Sequence, residues 1–362
     1  MKILKTIALQ LFTGANVATI AVLWLCCLVT FVSPAVFPRL SLLTLLFPFI
    51  LLANIAFVVF WLVFNVKRVW LPLLGIGVCF TFVRDYFPVN LPTSPADSTL
   101  HIVTFNCHGY GGAEANIDDE HNLAMDYLMD TGADLICLQE VCGNTSRTER
   151  FRKQMADKGY HNFHLKGSEV FSRLPILSGD TVSMPTMGNT SLRLYLQDGA
   201  DTLLLINAHL ESNRLSPQVK SAYLEAIKKH ERDSMSKELE PVVHLLTLAA
   251  PYRAMQADSL RHLISQWLPR PAIVCGDFND TPVSYPLRLL TCDLENAYRQ
   301  SGNGLGITFK ERGFPVRIDH ILFSGDRWTS VATHVDHAFS VSDHYPLHTY
   351  LVRNSPKGEK KQ

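Results

Sequence analysis

The residues Gly276-Asp277-Phe278-Asn279 close the apolar run Ile273-Val274-Cys275, leaving a carboxylate and an amide two positions apart. An apolar run that stops at a glycine reads as a buried strand reaching its C-terminal end. Residues two apart on an extended chain share one side. The carboxylate can accept a proton there, and the amide can hold a water or a phosphate oxygen. Taken alone the pattern is common. Five more stretches repeat it, each placing polar groups directly after an apolar run: Thr104-Phe105-Asn106, Leu138-Gln139-Glu140, Asn207-Ala208-His209, Arg317-Ile318-Asp319-His320 and Ser342-Asp343-His344. Strand ends are where α/β folds meet their ligands.

The side chains have distinct capacities. Glu140 supplies a hard anionic oxygen and Asn106 a neutral one; oxygen ligands completed by water and substrate phosphate suit Mg²⁺ or Mn²⁺. A histidine whose ring nitrogen meets a buried carboxylate has a fixed tautomer and favours the imidazolium. His320 follows Asp319 directly, points to the opposite face of its strand and is read as structural.

Six such stretches in this order, ending in Ser-Asp-His, resemble the endonuclease/exonuclease/phosphatase superfamily with its deoxyribonuclease-like fold. The resemblance covers about Leu100 to Val352. It implies a four-layer α/β sandwich, with two mixed β-sheets packed face to face and helices outside. It implies that Asn106 and Glu140 hold an essential divalent ion, Mg²⁺ or Mn²⁺, with Asp343 close enough to bind it or a second one. Asp277 and Asn279 would position and activate the attacking water. His344, its ring oriented by Asp319, would stand across the scissile phosphate, and Asn207 and His209 would contact the phosphate. Arg173, in Phe-Ser-Arg-Leu-Pro-Ile, matches a common family position and is a candidate phosphate or substrate contact, with a surface ion pair as the alternative. The choice of base between Asp277 and His344 stays open.

These strand ends need elements to hold them. Strands are expected at Leu100–Asn106, Ala133–Glu140, Val170–Ile176, Leu192–Leu196, Thr202–His209, Arg317–Phe323, Val331–Val335 and Leu347–Val352. Helices are expected at Asn122–Asp130 and Phe151–Lys158, then from Ser216 to about Lys237 and from Ala254 to Trp267, the last leading into the Asp277 strand. Within the long excursion from Glu211 to Tyr252, the apolar run Val242–Ala250 reads as a buried helix or as a surface facing lipid. Residues 100–354 form this domain, and the lysine-rich tail 355–362 reads as a disordered end.

Residues 1–87 are nearly free of acids and read as an α-helical membrane anchor. Ile7–Phe37 and Leu40–Val66 meet the length a bilayer core needs, roughly 20 apolar residues. Val69–Val83, with Pro72 and two glycines, is a shorter third candidate. Lys2, Lys5, Lys67 and Arg68 against the lone Arg39 put the N-terminus in the cytoplasm. Three spans then put the domain on the non-cytoplasmic side, expected at a bacterial inner membrane. Residues 88–99 read as a Pro-rich linker.

Composition narrows the function. Lysine plus arginine equals aspartate plus glutamate at 33 each, which lends no support to a strongly basic nucleic-acid binder. No Cys-x-x-Cys pair exists, and the domain's odd set of five (Cys107, Cys137, Cys142, Cys275, Cys292) argues against a complete disulfide framework. The expectation is an anchored, metal-dependent hydrolase of a phosphodiester in nucleic acid or a phospholipid, with no evident protein partner. The alternatives are a phosphomonoesterase on soluble esters such as inositol phosphates and a non-catalytic scaffold. Suitable side chains at every catalytic position oppose the scaffold.

Overall fold

The computed structural model describes residues 2–91, 93, 99–118, 121–213, 232–310 and 315–354. It divides into two units: one of Met1–Phe87, Leu215–Ala254 and Pro282–Arg288, the other of Pro88–Arg214, Met255–Thr281 and Leu289–Gln362.

In the first unit the helix Lys2–Val29 is followed by a 3₁₀ segment, Pro38–Leu46, and the helix Phe47–Phe64. Thr6–Val29 and Pro38–Phe64 are long and apolar enough to cross a membrane. Their outward side chains, among them Leu11, Phe49, Leu52 and Val63, are large and apolar. Polar groups turn inward, and Trp61 Nε1 donates to Asn16 Oδ1 at 2.9 Å. The third stretch departs from a straight span. It breaks at Cys79 into Trp70–Val78 and Phe80–Tyr86, bent by 69°. Gly75 and Gly77, poor helix formers, sit just before that break. Gly75 has a packing reason of its own, because a Cβ would lie 2.7 Å from Ile20 Cγ1.

Among the described residues the second unit holds twelve strands in two sheets of six. They are β1 (Thr99–Asn106), β2 (Leu135–Gln139), β3 (His161–Leu165), β4 (Ser168–Ser172), β5 (Ile176–Thr181), β6 (Leu192–Asp198), β7 (Asp201–His209), β8 (Ala272–Asp277), β9 (Glu295–Asn296), β10 (Asp319–Phe323), β11 (Trp328–Val335) and β12 (Leu347–Arg353). One sheet runs β11-β12-β1-β2-β4-β3 and the other β5-β6-β7-β8-β10-β9. Both are mixed: β1–β2 and β7–β8 are parallel and the remaining pairs antiparallel.

Alternation assigns each strand face. Ile102 on β1, Leu135 and Cys137 on β2, Leu203 and Leu205 on β7, Ile273 and Cys275 on β8, and Ile321 and Phe323 on β10 share the core between the sheets. The intervening Val103, Phe105, Ile136 and Leu138 turn outward against Ala124, Met125, Leu128, Phe151 and Met155 of two covering helices, Leu123–Asp130 and Ser146–Asp157. Sheet on sheet with helices outside is the α/β sandwich that the family resemblance implies. Asn122 caps the first helix through its side-chain oxygen, and Thr145 caps the second in a reciprocal capping box.

Two local expectations change. The expected strand Val170–Ile176 is two strands, β4 and β5, that lie in different sheets, with the chain crossing between them at Arg173–Pro175. The helix expected at Ala254–Trp267 is part of a longer one, Arg232–Trp267, which contains Val242–Ala250 despite Pro241 and Pro251. Most of the helix expected from Ser216, the tail 355–362 and much of the linker lie outside the described residues. At the linker's start Asn90 is held in place, its Nδ2 donating to Gly302 O at 2.6 Å.

Candidate active site

Register lines up the candidate residues. His209 on β7 pairs with Asp277 on β8, and Asp277 pairs with Asp319 on β10. Directly opposed residues share a face. The stripe that is Leu205, Ile273 and Phe323 deep in the sandwich therefore ends as a row of His209, Asp277 and Asp319. From the facing sheet the inward positions of β1 and β2 end in Asn106 and Gln139, with Glu140 just beyond. The site is the polar end of the core between the sheets.

The groups meet there. Asn106 Nδ2 donates to Glu140 Oε1 at 2.9 Å and to Asp277 Oδ2 at 3.1 Å, joining the sheets. His209 Nε2 lies 3.7 Å from Glu140 Oε1 and 3.8 Å from Asp277 Oδ2. His344 Nε2 lies 3.7 Å from Asp277 Oδ2, and its Nδ1 meets Asp319 Oδ2 at 2.8 Å. Asp277, Asp319, His209 and His344 are buried, whereas the Glu140 side chain is 41% exposed and forms the open edge.

Backbone strain concentrates at the same place. Glu140 (φ 53°) and Asn279 (φ 51°) are left-handed without being glycine, a conformation that clusters at functional sites. Asn279 tolerates it because its N–H donates to Asp277 Oδ1 (2.8 Å) and its Nδ2 to Leu210 O (3.0 Å). Gly276 (φ 143°) lies so close to β7 that a Cβ would collide with the Ala208 carbonyl oxygen. Gly276→Ala is therefore expected to destabilise the fold by about 3 kcal/mol or more, measurable as a lowered urea midpoint. A midpoint within error of wild type would contradict the close approach.

Burial and charge set protonation. Asp277 is raised to about 7 by burial, and Asp319 adds to the effect, against the opposing pull of His344. Burial alone would lower His344, but the carboxylates of Asp319 and Asp277 outweigh it and bring the imidazole to about 10. His209 is held down to about 4 by desolvation, against the pull of Glu140. At neutral pH His344 is thus an imidazolium paired with Asp319, and His209 is a neutral ring.

A divalent cation fits this chemistry. Asp277, Asp319 and His344 offer ligand atoms within 4.8 Å of one another. Asp319 Oδ1 and His209 Nε2 are buried without a hydrogen-bond partner among the described residues, the condition that an ion with its waters relieves. Asp319 meets the His344 ring through Oδ2, and the Glu140 carboxylate, at the open edge, is accessible to a cation.

Two residues expected to contact substrate have other partners. Arg173 is at the far end of the sheet: Leu135 pairs with Ser172 while Gln139, beside Glu140, pairs with Ser168. The length of β2, roughly 20 Å with its flanking residues, separates Arg173 from Glu140. Its guanidinium instead covers the Tyr160 ring at 4.5 Å. Asn207 is fully buried behind His209, accepting from Gln139 Nε2 (2.6 Å) and donating to Leu138 O (2.9 Å), so it stitches the sheets together. Asp343 follows Ser342, whose hydroxyl donates to Asn106 O at 2.8 Å. His320 faces away, with its Nε2 3.1 Å from Asp280 O.

Sequence reasoning passed over three contributors. Gln139 bridges the sheets. Ser191 Oγ accepts the His209 N–H at 2.9 Å. His108, with φ 42°, sets Nδ1 3.4 Å from Glu140 Oε2 at the open edge. Its place two residues after Asn106 was the available signal.

The family model described as the Endonuclease/Exonuclease/phosphatase family matches residues 103–344. A second, described as a domain of unknown function, matches residues 9–86. No curated protein matches the chain. Among solved structures, the human Nocturnin catalytic domain with bound sulfate anion superposes with a TM-score of 0.50 at 14% identity, covering 72% of this chain and 97% of that one. An endonuclease/exonuclease/phosphatase family protein from Bacteroides thetaiotaomicron gives 0.50 at 16% identity, covering 73% of this chain and 100% of that one. At these identities the likeness concerns the fold.

Proposed function

The chain belongs to the endonuclease/exonuclease/phosphatase family, and from that premise we propose that it is a membrane-anchored, divalent-metal-dependent hydrolase of phosphodiesters in phospholipid head groups. The observation that carries the reading is the in-register row His209–Asp277–Asp319, facing Asn106 and Glu140 across the core. Balanced charge gives no reason to attract a polyanion. Two helices apolar enough to span a bilayer hold the domain beside lipid. The lysine and arginine pattern supports an N-terminus in the cytoplasm and a domain on the other side of a bacterial inner membrane.

The roles follow from the protonation states. Asp277, raised to about 7, is poised to take the proton of the attacking water near neutral pH. Asn279, held in the turn beyond it, orients that water. His344, an imidazolium near pH 7, is a poor base; it donates to a non-bridging or leaving oxygen while Asp319 holds its ring. His209, neutral, donates a hydrogen bond to the phosphoryl group rather than offering a full charge. Glu140, with the Asn106 amide oxygen and with Asp343 beside His344 in sequence, would hold Mg²⁺ or Mn²⁺. Such an ion, when bound, polarises the phosphoryl oxygens and neutralises charge that develops on them.

The test is hydrolysis by the full chain in detergent micelles with Mg²⁺, offered sphingomyelin and glycerophospholipids, plasmid DNA, or inositol phosphates. Release of a phosphorylated head group, abolished by Asp277→Asn, is the expected result. Turnover confined to DNA would make it a nuclease. Turnover confined to inositol phosphates would make it a monoesterase. Inertness toward all of them would favour the scaffold.

A further inference from the structure

On the first sheet, away from the site, three histidines share one face of adjacent strands. His334 on β11 opposes His348 on β12, and His101 on β1 sits diagonally beside them. The His348 and His334 rings are parallel within 13° at 5.0 Å, and His101 stacks on Tyr350 at 4.2 Å. His348 Nδ1 lies 3.1 Å from His101 Nε2. His348 Nε2 lies 2.8 Å from the Tyr127 hydroxyl, which is 2.8 Å from Asp336 Oδ2.

Donor and acceptor inventory gives this chain one direction. An ionised carboxylate only accepts, so Tyr127 donates to Asp336. The Tyr127 oxygen then accepts, so His348 carries its proton on Nε2. His348 Nδ1 is therefore bare and accepts from His101 Nε2–H. Every link is satisfied only while His348 is neutral.

The chain ends at the neck of a loop. Asp336 N–H donates to Pro346 O at 2.9 Å, closing the segment 336–346. Asp336 Oδ1 accepts from Ala338 N at 3.0 Å. Inside the loop Phe339 stacks on Tyr127 at 3.9 Å and meets Phe105 edge-on at 5.9 Å, and Ser342 reaches Asn106 O. The next residues are Asp343 and His344. We propose that Tyr127 and His348 are positioning residues: the chain Asp336–Tyr127–His348–His101 holds the neck of the loop that presents Ser342, Asp343 and His344 to the site.

The chain is proton-sensitive. A second proton on His348 would set N–H against N–H. The groups facing it are His101 from β1, His334 from β11, Tyr350 from β12, Tyr127 from its helix and Asp336 from the loop, while Asp134 Oδ2 takes the His101 backbone N–H (2.8 Å). Desolvation, with help from the neighbouring imidazoles, lowers His101 to about 4 and His348 to about 3; His334 is lowered as well, against Asp336. An unfolded histidine binds its proton near 6.5. The stabilisation is thus present above about 6.5 and is lost as pH falls toward about 4.

The importance of the loop to catalysis rests on the site proposed above; its ordering by the chain does not. Hydrogen exchange on the full-length protein in detergent micelles separates the two. Tyr127→Phe keeps the stack on Phe339 and removes both hydrogen bonds. It is expected to speed exchange in 336–346 by about tenfold at pH 7.5, leaving β2 and β8 unchanged. In wild type, rates corrected for intrinsic pH dependence should rise in the same segment between about pH 6 and pH 4. His348→Gln, which can donate and accept without titrating, should flatten that rise. Wild-type exchange in Tyr127→Phe, or equal acceleration throughout both sheets, would overturn the positioning role. If the exchange results hold while kcat is unaffected, the loop is positioned as stated and the assignment of His344 to catalysis is what fails.

Discussion

Asp277→Asn is expected to lower kcat by about 10²- to 10⁴-fold, the range for removing a positioned general base, with KM nearly unchanged. The substitution preserves volume in a site where Asp277 is 1% exposed, so the sandwich should survive it. Asp277 Oδ1 accepts the Asn279 N–H, and a carboxamide oxygen can do the same. What it cannot do is take a proton from water. The pH profile checks the assignment further. Activity of wild type should rise as Asp277 deprotonates near about 7 and fall as His344 loses its proton near about 10. Because the two groups interact, these limits belong to the pair. A bound cation favours the carboxylate and moves the acid limb lower. In Asp277→Asn the residual activity should lack that limb. A variant with kcat within threefold of wild type, or with an unchanged acid limb, would remove Asp277 from the role of base.

Stripping divalent cations with a chelator should lower the rate by about a hundredfold or more, since a metal contributes several kcal/mol to a phosphoryl transition state. Mg²⁺ or Mn²⁺ should restore it. Glu140→Gln should reproduce the loss and raise the cation concentration needed for half-maximal activity. It keeps the shape of the open edge and removes the anionic oxygen that Asn106 Nδ2 contacts at 2.9 Å. A measurement without substrate is also available. At a hundred times its Kd, an ion that binds only the folded state adds about 2.7 kcal/mol of stability, and Glu140→Gln should abolish most of the corresponding rise in Tm. Full activity after exhaustive chelation would sink the metal assignment.

Much of the architecture could be read because burial writes a simple code into strands. β1, β2, β7, β8 and β12 alternate or run apolar and stop at polar residues, and each was placed within two residues. The covering helix Leu123–Asp130 was visible in its spacing, and the helix Ser146–Asp157 was found but begun too late, because its first turn is polar and announced only by the Thr145 capping box. The edge strand β3 was missed: its burial alternates weakly, and a strand paired on one side leaves a fainter pattern. The bend at Cys79 in the third apolar stretch was not legible, because hydropathy counts apolar residues and does not register a break.

By itself, the sequence determined which buried strands end in polar groups, because a buried strand can end in Asp, Asn, His or Glu only where something compensates the polar group. It also separated His320 from Asp319, since alternation permits no other outcome. Tertiary structure alone decided which of those ends converge. Pairing register put His209, Asp277 and Asp319 in one row, and the antiparallel sense of β2 and β4 carried Arg173 to the far end. Neither register nor strand sense is local, so no window of sequence holds them. The protonation states are of the same kind. His209 and His344 are both histidines at strand or loop ends, yet desolvation makes one neutral and two carboxylates make the other a cation. That difference comes from neighbours far away in the chain: Asp277 is 67 positions from His344, and Glu140 is 69 from His209.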